Sequence, residues 1–272
     1  MDNRPIGVFD SGLGGLTAMR ELMRLMPGED LIYFGDTGRV PYGSRSRDTI
    51  LRYARQDVSF LRTFDLKAIV IACGTVSTAA LDILTAENPD LPIFGVVDPA
   101  AHEAVAATKS GRIGLIGTAA TIRSGVFAHR IVALNPKGTV TAAPCPLLVP
   151  LVENGRFRTG DTVVETVLAE YLAPMKAKKI DTLVLGCTHY PLLKQAISAY
   201  MGETVSLIDT GATCARAVAN QLQESGALNA TKRAGTRRFF ASDSAEDFGA
   251  LASIFLGEDI GQQVEQIKIE DY

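Results

Sequence analysis

Apolar positions in this chain follow two alternating rhythms. Short runs rich in β-branched residues occur at 6–9, 31–34, 68–72, 93–97, 112–116, 182–185 and 205–208. Between them, apolar residues recur at helical spacing, as at Leu16, Met19, Leu22, Met23 and Met26, or at Val163, Val164, Val167, Leu168 and Leu172. A run that is apolar at every position belongs to a strand covered on both faces, the mark of a parallel sheet. Strands alternating with amphipathic helices predict an α/β protein with mainly parallel sheets flanked by helices. Beyond residue 209 the pattern predicts another helix, a strand at 238–241, a helix from about 245 to 256, and an alternating tail at 264–269 that reads as an edge strand.

A weak internal echo runs through this pattern. Ile6-Gly7-Val8-Phe9-Asp10-Ser11 is similar to Ile113-Gly114-Leu115-Ile116-Gly117-Thr118, and the run at 67–73 is similar to that at 180–187. Each half carries one cysteine at a strand end, Cys73 lying 66 residues after Gly7 and Cys187 lying 73 after Gly114. Two similar α/β halves would produce this echo, and so would generic strand-helix repetition. The expected division is one domain of residues 1–97 plus 209–272 and a second of residues 98–208.

Composition narrows the class further. With 272 residues, 47% hydrophobic and 21% charged, the chain is an ordinary globular sequence rather than a disordered one. Net charge is 27 − 30 = −3, so nothing points to nucleic acid or an anionic membrane as the main partner. Local basic clusters such as Arg45-Ser46-Arg47 read as a solvated helix start. No apolar run approaches the roughly 18 residues a membrane span needs, and the first residues lack a signal-peptide core, so a cytoplasmic protein is expected. The four cysteines stand far apart without a CxxC pair, which in that compartment makes each one packing or chemistry rather than a disulfide.

In an open parallel sheet, ligands bind beyond the carboxyl ends of the strands. Those positions here carry Asp10-Ser11-Gly12-Leu13-Gly14-Gly15, Gly35-Asp36-Thr37, Cys73-Gly74-Thr75, Gly117-Thr118 and Gly186-Cys187-Thr188-His189. The glycine run permits a tight turn into a helix but is neither GxGxxG nor a P-loop. Ser11, Thr75, Thr118 and Thr188 are hydroxyl donors suited to a carboxylate, although each alone fits a helix N-cap equally well. Cys187 and His189 are two residues apart, so their side chains can share a side, where an imidazole can orient or ionise a thiol. Cys145, between two prolines, and Cys214, within a helix, read as packing thiols; His102 and His129 fall on helical stretches and receive no role. Two thiols facing across a cleft suit inversion of a stereocentre, which needs a base on one face of the substrate and an acid on the other. Zinc ligation by Cys73, Cys187, His189 and Asp10, and a non-catalytic binding protein, are alternatives of other classes.

These segments, with Tyr33-Phe34-Gly35-Asp36-Thr37, Pro41-Tyr42-Gly43, Val149-Pro150-Leu151-Val152-Glu153, Leu185 through Leu193, Ile208-Asp209 and Glu246-Asp247-Phe248, give the chain its nearest likeness. It resembles the glutamate racemases, within the cofactor-independent aspartate/glutamate racemase superfamily. The resemblance implies two α/β domains with the active site in the cleft between them, and no cofactor or metal. It implies that Cys73 and Cys187 are the two bases, with Asp10 assisting Cys73 and His189 assisting Cys187. It implies further that Ser11, Pro41, Tyr42, Gly43, Gly74, Thr75, Thr118, Glu153 and Thr188 surround the substrate with them. Glutamate is the expected substrate, D-glutamate for peptidoglycan the expected product, and a homodimer the expected assembly; aspartate or another amino acid is the neighbouring possibility. One departure is visible: the family usually carries Cys-Asn-Thr where this chain has Cys73-Gly74-Thr75, which removes a side-chain amide. Some family members respond to a cell-wall precursor through an N-terminal extension. With the first motif starting at Ile6, none is expected here.

Overall fold

A computed structural model describes residues 2–229, 233–260 and 263–272. Two parallel sheets carry the fold. The first contains β1 (Ile6–Asp10), β2 (Leu31–Gly35), β3 (Ala68–Ile71) and β4 (Ile93–Gly95). The second contains β5 (Arg112–Gly117), β6 (Thr139–Pro144), β7 (Thr182–Leu185) and β8 (Ser206–Asp209). The chain then returns to the first sheet as β9 (Arg237–Ala241) and β10 (Val264–Gln266). Strand order is β10-β9-β2-β1-β3-β4 in one sheet and β6-β5-β7-β8 in the other. Setting β9 and β10 aside, the orders β2-β1-β3-β4 and β6-β5-β7-β8 match strand for strand, and all pairings are parallel. The internal echo thus falls on equivalent central pairs, β1 with β3 and β5 with β7.

Helices cover the sheet faces. Through the first half run α1 (Leu16–Leu25), α2 (Arg47–Leu61), α3 (Gly74–Ala79) and α4 (Leu81–Glu87). The chain crosses over through α5 (Val97–Ala107). Around the second sheet lie α6 (Ala119–Ser124), α7 (Val126–Leu134), α8 (Leu148–Glu153), α9 (Thr162–Ala177) and α10 (Lys194–Met201). The return passes through α11 (Thr210–Glu224), and α12 (Ala245–Leu256) joins β9 to β10. In α1 the residues at helical spacing, Leu16, Met19 and Leu22, are fully buried, which is the amphipathic pattern put to use. Ser46 caps α2 by accepting the Thr49 N–H, so the basic cluster there is indeed a helix start. Helices α1 and α11 pack together, Gly211 approaching Ala18 so closely that a Cβ there would lie 3.0 Å from the Ala18 Cβ. No helix among the described residues is long and apolar enough to cross a membrane.

Three expectations need adjustment. Strand β4 ends at Gly95, two residues early, because Val97 already begins α5. The tail forms an edge strand only over Val264–Gln266 before turning into a 3-10 segment at Ile269–Asp271. Strand β6 has no counterpart in the sequence reading. It is an edge strand whose residues are half-buried or exposed, so it lacks the continuous apolar run that marks a central strand.

Candidate active site

In each sheet the central strands pass to opposite sides, β1 toward β2 and β3 toward β4, and likewise β5 toward β6 and β7 toward β8. Such a reversal opens a crevice at the carboxyl ends of the strands, where α/β sheets bind ligands. Asp10 and Cys73 flank the first crevice, and Thr118 and Cys187 the second. The two crevices share one cavity of about 320 Å³, walled by Ser11, Cys73 and Thr75 from the first half and by Thr118, Glu153, Cys187, Thr188 and His189 from the second. No Lys or Arg stands among the described residues of this wall, so an anion inside meets neutral donors and His189.

On the first wall Cys73 is 5% exposed, and its thiol donates to Ser11 Oγ at 3.5 Å. Burial pushes that thiol up to about 12, helped by the neighbouring Asp10 carboxylate and by Cys187. Asp10 lies beneath it, fully buried, its Oδ2 accepting the Gly12 N–H at 3.1 Å. Its Oδ1 has no hydrogen-bond partner among the described residues, and burial raises the carboxyl above its ordinary value. The glycine turn is required by this packing. A Cβ on Gly15 would lie 2.4 Å from the Asp10 Cβ, and Tyr33 pins the turn by donating its hydroxyl to the Gly12 carbonyl at 2.8 Å.

Cys187 and His189 meet as their spacing allows, the thiol sulfur lying 3.8 Å from His189 Nδ1. The other ring nitrogen, Nε2, sits 3.0 Å from Glu153 Oε1 at the end of α8. Burial by itself would lower the imidazole, but the hydrogen bonds with Cys187 and Glu153 outweigh it and raise His189 to about 10. His189 is therefore an imidazolium at neutral pH, held between a thiol and a carboxylate. Phe255 of α12 meets the ring edge-on at 5.2 Å between centroids, and Thr17 in α1 donates its hydroxyl to the Thr188 carbonyl at 2.9 Å. Both elements belong to the first half of the fold, so the second thiol's partner is seated by residues far away in sequence.

A hydroxyl cluster closes one side: Thr75 and Thr118 are 2.9 Å apart, with Thr121 within 3.3 Å of Thr75 and 3.0 Å of Thr118. Thr118 also caps α6, so its capping and cavity-lining roles coexist. Pro41, Tyr42 and Gly43 line the cavity, yet the Tyr42 hydroxyl is engaged elsewhere, donating to Asp36 and, at 3.3 Å, to Asp57. Both carboxylates are fully buried and share Arg39, whose Nε and Nη2 lie 2.6 Å and 3.0 Å from them. Tyr42 thus anchors the loop rather than offering its phenol to a ligand.

Every residue singled out from the sequence lines the cavity except Asp10, which supports it from below. The wall also takes in Val40, Ala119, Pro146, Val149 and Pro150, to which the sequence reading gives no site role, with Gly12, Ser44 and Gly186 from the strand-end loops and Cys145, which it reads as packing. Cys145 is fully buried, donates to the Ala143 carbonyl at 3.6 Å and is raised by burial to about 12, but it borders the cavity. The signal for it was its place at the end of β6, an element the apolar pattern did not reveal. Cys214 packs within α11, fully buried, and among the described residues no group of three or more His, Cys, Asp and Glu side chains is arranged to hold a metal ion.

Two matched α/β sheets, each presenting a thiol to one cavity lined with hydroxyls, define a protein equipped for acid/base chemistry on a small molecule from two sides. The chain matches the family described as Asp/Glu/Hydantoin racemase over residues 15–218. It belongs to that family and is a racemase, an isomerase. It is 44% identical to a glutamate racemase of Geobacter metallireducens over 267 residues, 98% of this chain and 97% of that one. It is 45% identical to one of Streptococcus gordonii over 262 residues, 96% and 97% of the two chains. The crystal structure of the Francisella tularensis glutamate racemase with D-glutamate superposes with a TM-score of 0.92 at 39% identity, covering 100% of both chains.

Proposed function

We propose that this protein interconverts L- and D-glutamate by proton transfer at the α-carbon between Cys73 and Cys187. The observation that carries the reading is the pair of thiols at equivalent strand ends on the two walls of one cavity. A thiolate on one side takes the α-proton, becoming a thiol and leaving a carbanion. The opposite thiol delivers its proton to the other face and becomes the thiolate. One C–H bond breaks and one forms, so the reaction balances without an added cofactor.

His189 Nδ1 lies 3.8 Å from the Cys187 sulfur, placed to orient that thiol and to exchange a proton with it. Burial keeps Cys73 protonated as the resting acid. In the other direction Asp10, with its raised carboxyl and unpartnered Oδ1, receives the Cys73 proton. Ser11, Thr75, Thr118 and Thr188 donate to the substrate's carboxylates and can accept from its amine, with the backbone of residues 41–43 and 73–74 beside them. A wall without Lys or Arg leaves the α-carboxylate able to accept electron density from the carbanion rather than being locked in a strong ion pair. The family likeness supports a homodimer of cytoplasmic protein, with domains of residues 1–97 plus 209–272 and 98–208, making D-glutamate for peptidoglycan.

Proton NMR of L- and D-glutamate, each with the protein in D₂O and no cofactor, tests the reading. Loss of the α-proton signal from both enantiomers, with optical rotation falling to zero, is expected. Absence of exchange with glutamate, or exchange with aspartate alone, would overturn it. Cys73→Ala and Cys187→Ala should each abolish racemisation while the fold persists; turnover like the parent's in either would sink the two-thiol assignment.

A further inference from the structure

Gly74 follows Cys73 and Gly186 precedes Cys187, and the two glycines meet where the walls of the cavity come together. A Cβ on Gly74 would lie 2.4 Å from the Gly186 carbonyl oxygen and 3.3 Å from its carbon. Ordinary contact begins at 3.4 Å, so a side chain at position 74 needs 3.4 − 2.4 = 1.0 Å of relief. That relief has to come from main chain. The Gly186 N–H is bonded to the Ile116 carbonyl at 2.8 Å, and a Cβ on Gly186 would in turn lie 2.7 Å from that same oxygen.

Other contacts between the halves differ in kind. A Cβ on Gly14 would meet the side chains of Thr188 and His189, and one on Gly43 would meet the side chain of Thr118. Side chains can turn aside, whereas the Gly186 carbonyl, just beyond β7, moves only if its main chain moves with it. Nor does the local backbone of Gly74 demand glycine: it is the first residue of α3, its φ is not positive, and helix propensity there favours alanine.

We propose that Gly74 is a positioning residue, the contact that lets the two halves close until Cys73 and Cys187 stand at the separation proton transfer requires. Its consequence for rate rests on the racemase reading above; the closure itself does not. A side chain at 74 props the cleft ajar beside both thiols. Displacement of reacting groups by about 1 Å costs on the order of 100-fold in rate. The asparagine usual in the family is then not the better residue for this chain, because its Cβ meets the same carbonyl before its amide reaches a substrate.

Gly74→Ala and Gly74→Asn separate the two ideas. In both, kcat should fall on the order of 100-fold in each direction, with KM changing less, because separation of the thiols acts on proton transfer more than on binding. In the absence of substrate, alkylation of Cys73 and Cys187 by iodoacetamide, read by peptide mass spectrometry, should accelerate about tenfold, while Cys214 in α11 alkylates as in the parent. The tenfold figure corresponds to about 1.4 kcal/mol of bias toward the open form. Either variant with parental alkylation and parental kcat would overturn the proposal, as would a Gly74→Asn protein more active than the parent. Faster alkylation of Cys214 as well would also overturn it, by showing a loosened fold instead of an opened cleft. If the parent itself fails to exchange the α-proton of glutamate, the racemase reading falls, and the alkylation comparison still decides the closure.

Discussion

Glu153→Gln removes a charge from the second wall and keeps the side chain's shape. Two opposite charges 3.0 Å apart at an effective dielectric of about 20 would interact by about 5.5 kcal/mol. Glu153 is 40% exposed, so solvent screens much of that. The lower part of the usual range for an adjacent opposite charge, about one to two pH units, is therefore the expected drop in the His189 pKa. His189 starts at about 10, so in the variant it should titrate near about 8 to 9. The chain has three histidines, which makes the ring nitrogens readily resolved in a two-dimensional nitrogen–proton NMR titration of the free protein. The alkaline limb of the racemisation rate should move down by the same interval, since the ring that loses its charge contacts the Cys187 sulfur. Stability moves with a defined sign. Because the folded pKa lies above the ordinary 6.5, the charged ring stabilises the fold fully below about 6.5 and loses that contribution as pH rises through about 10. The parent should therefore melt above the variant through neutral pH, and the gap should close as pH approaches 10. A His189 that titrates at the same pH in both proteins would refute the assignment of Glu153 as a group that, with the Cys187 contact, holds its charge.

Two further substitutions test the packing behind the site. Tyr42→Phe removes a donor from the buried Asp36 and Asp57 carboxylates and should cost about 1–3 kcal/mol. At roughly 2–4 °C per kcal/mol for a chain of this size, calorimetry should show a fall in Tm of several degrees, with KM raised as the loop at 40–44 loosens; an unchanged Tm would mean that Arg39 and Ser242 satisfy the pair without the phenol. Lys67→Met strands Glu29, its ion-pair partner at 2.6 Å with both side chains 1% exposed, and should lower stability by about 3–5 kcal/mol in chemical denaturation. Adding Glu29→Leu should recover part of the loss, though the Asn229 N–H that Glu29 accepts at 2.7 Å is then unsatisfied; no recovery at all would show that the deficit lies in the bonds from Lys67 to the Asp2 and Ala227 carbonyls.

Much of this molecule is legible in its sequence. The central strands announce themselves because a parallel strand covered on both faces must be apolar at consecutive positions, as β1, β3 and β7 are. The chemistry was legible too, since a packed core has no use for a thiol, a carboxylate or a hydroxyl at the carboxyl end of such a strand, and Asp10 at the last position of β1 and Cys73, Thr118 and Cys187 just beyond theirs occupy that place. Edge elements were not: β6 is half solvated, its polar threonines break the run, and Cys145 at its end was consequently read as packing.

The sequence by itself determined which positions prefer burial and with what period, hence the alternation of strands and helices and the reactive groups at the strand ends. Only the tertiary structure decided how those groups confront one another. The facing of the two crevices depends on contacts such as Thr17 with Thr188 and Gly74 with Gly186, which join residues more than 100 positions apart. So does the assignment of each polar group: Tyr42 turns its hydroxyl to Asp36 while Glu153 reaches His189. The physical reason is that local periodicity records only whether a side chain leaves water. Which partner it meets is set by long-range packing, and it is that partner which fixes a thiol's ionisation and the separation of two walls.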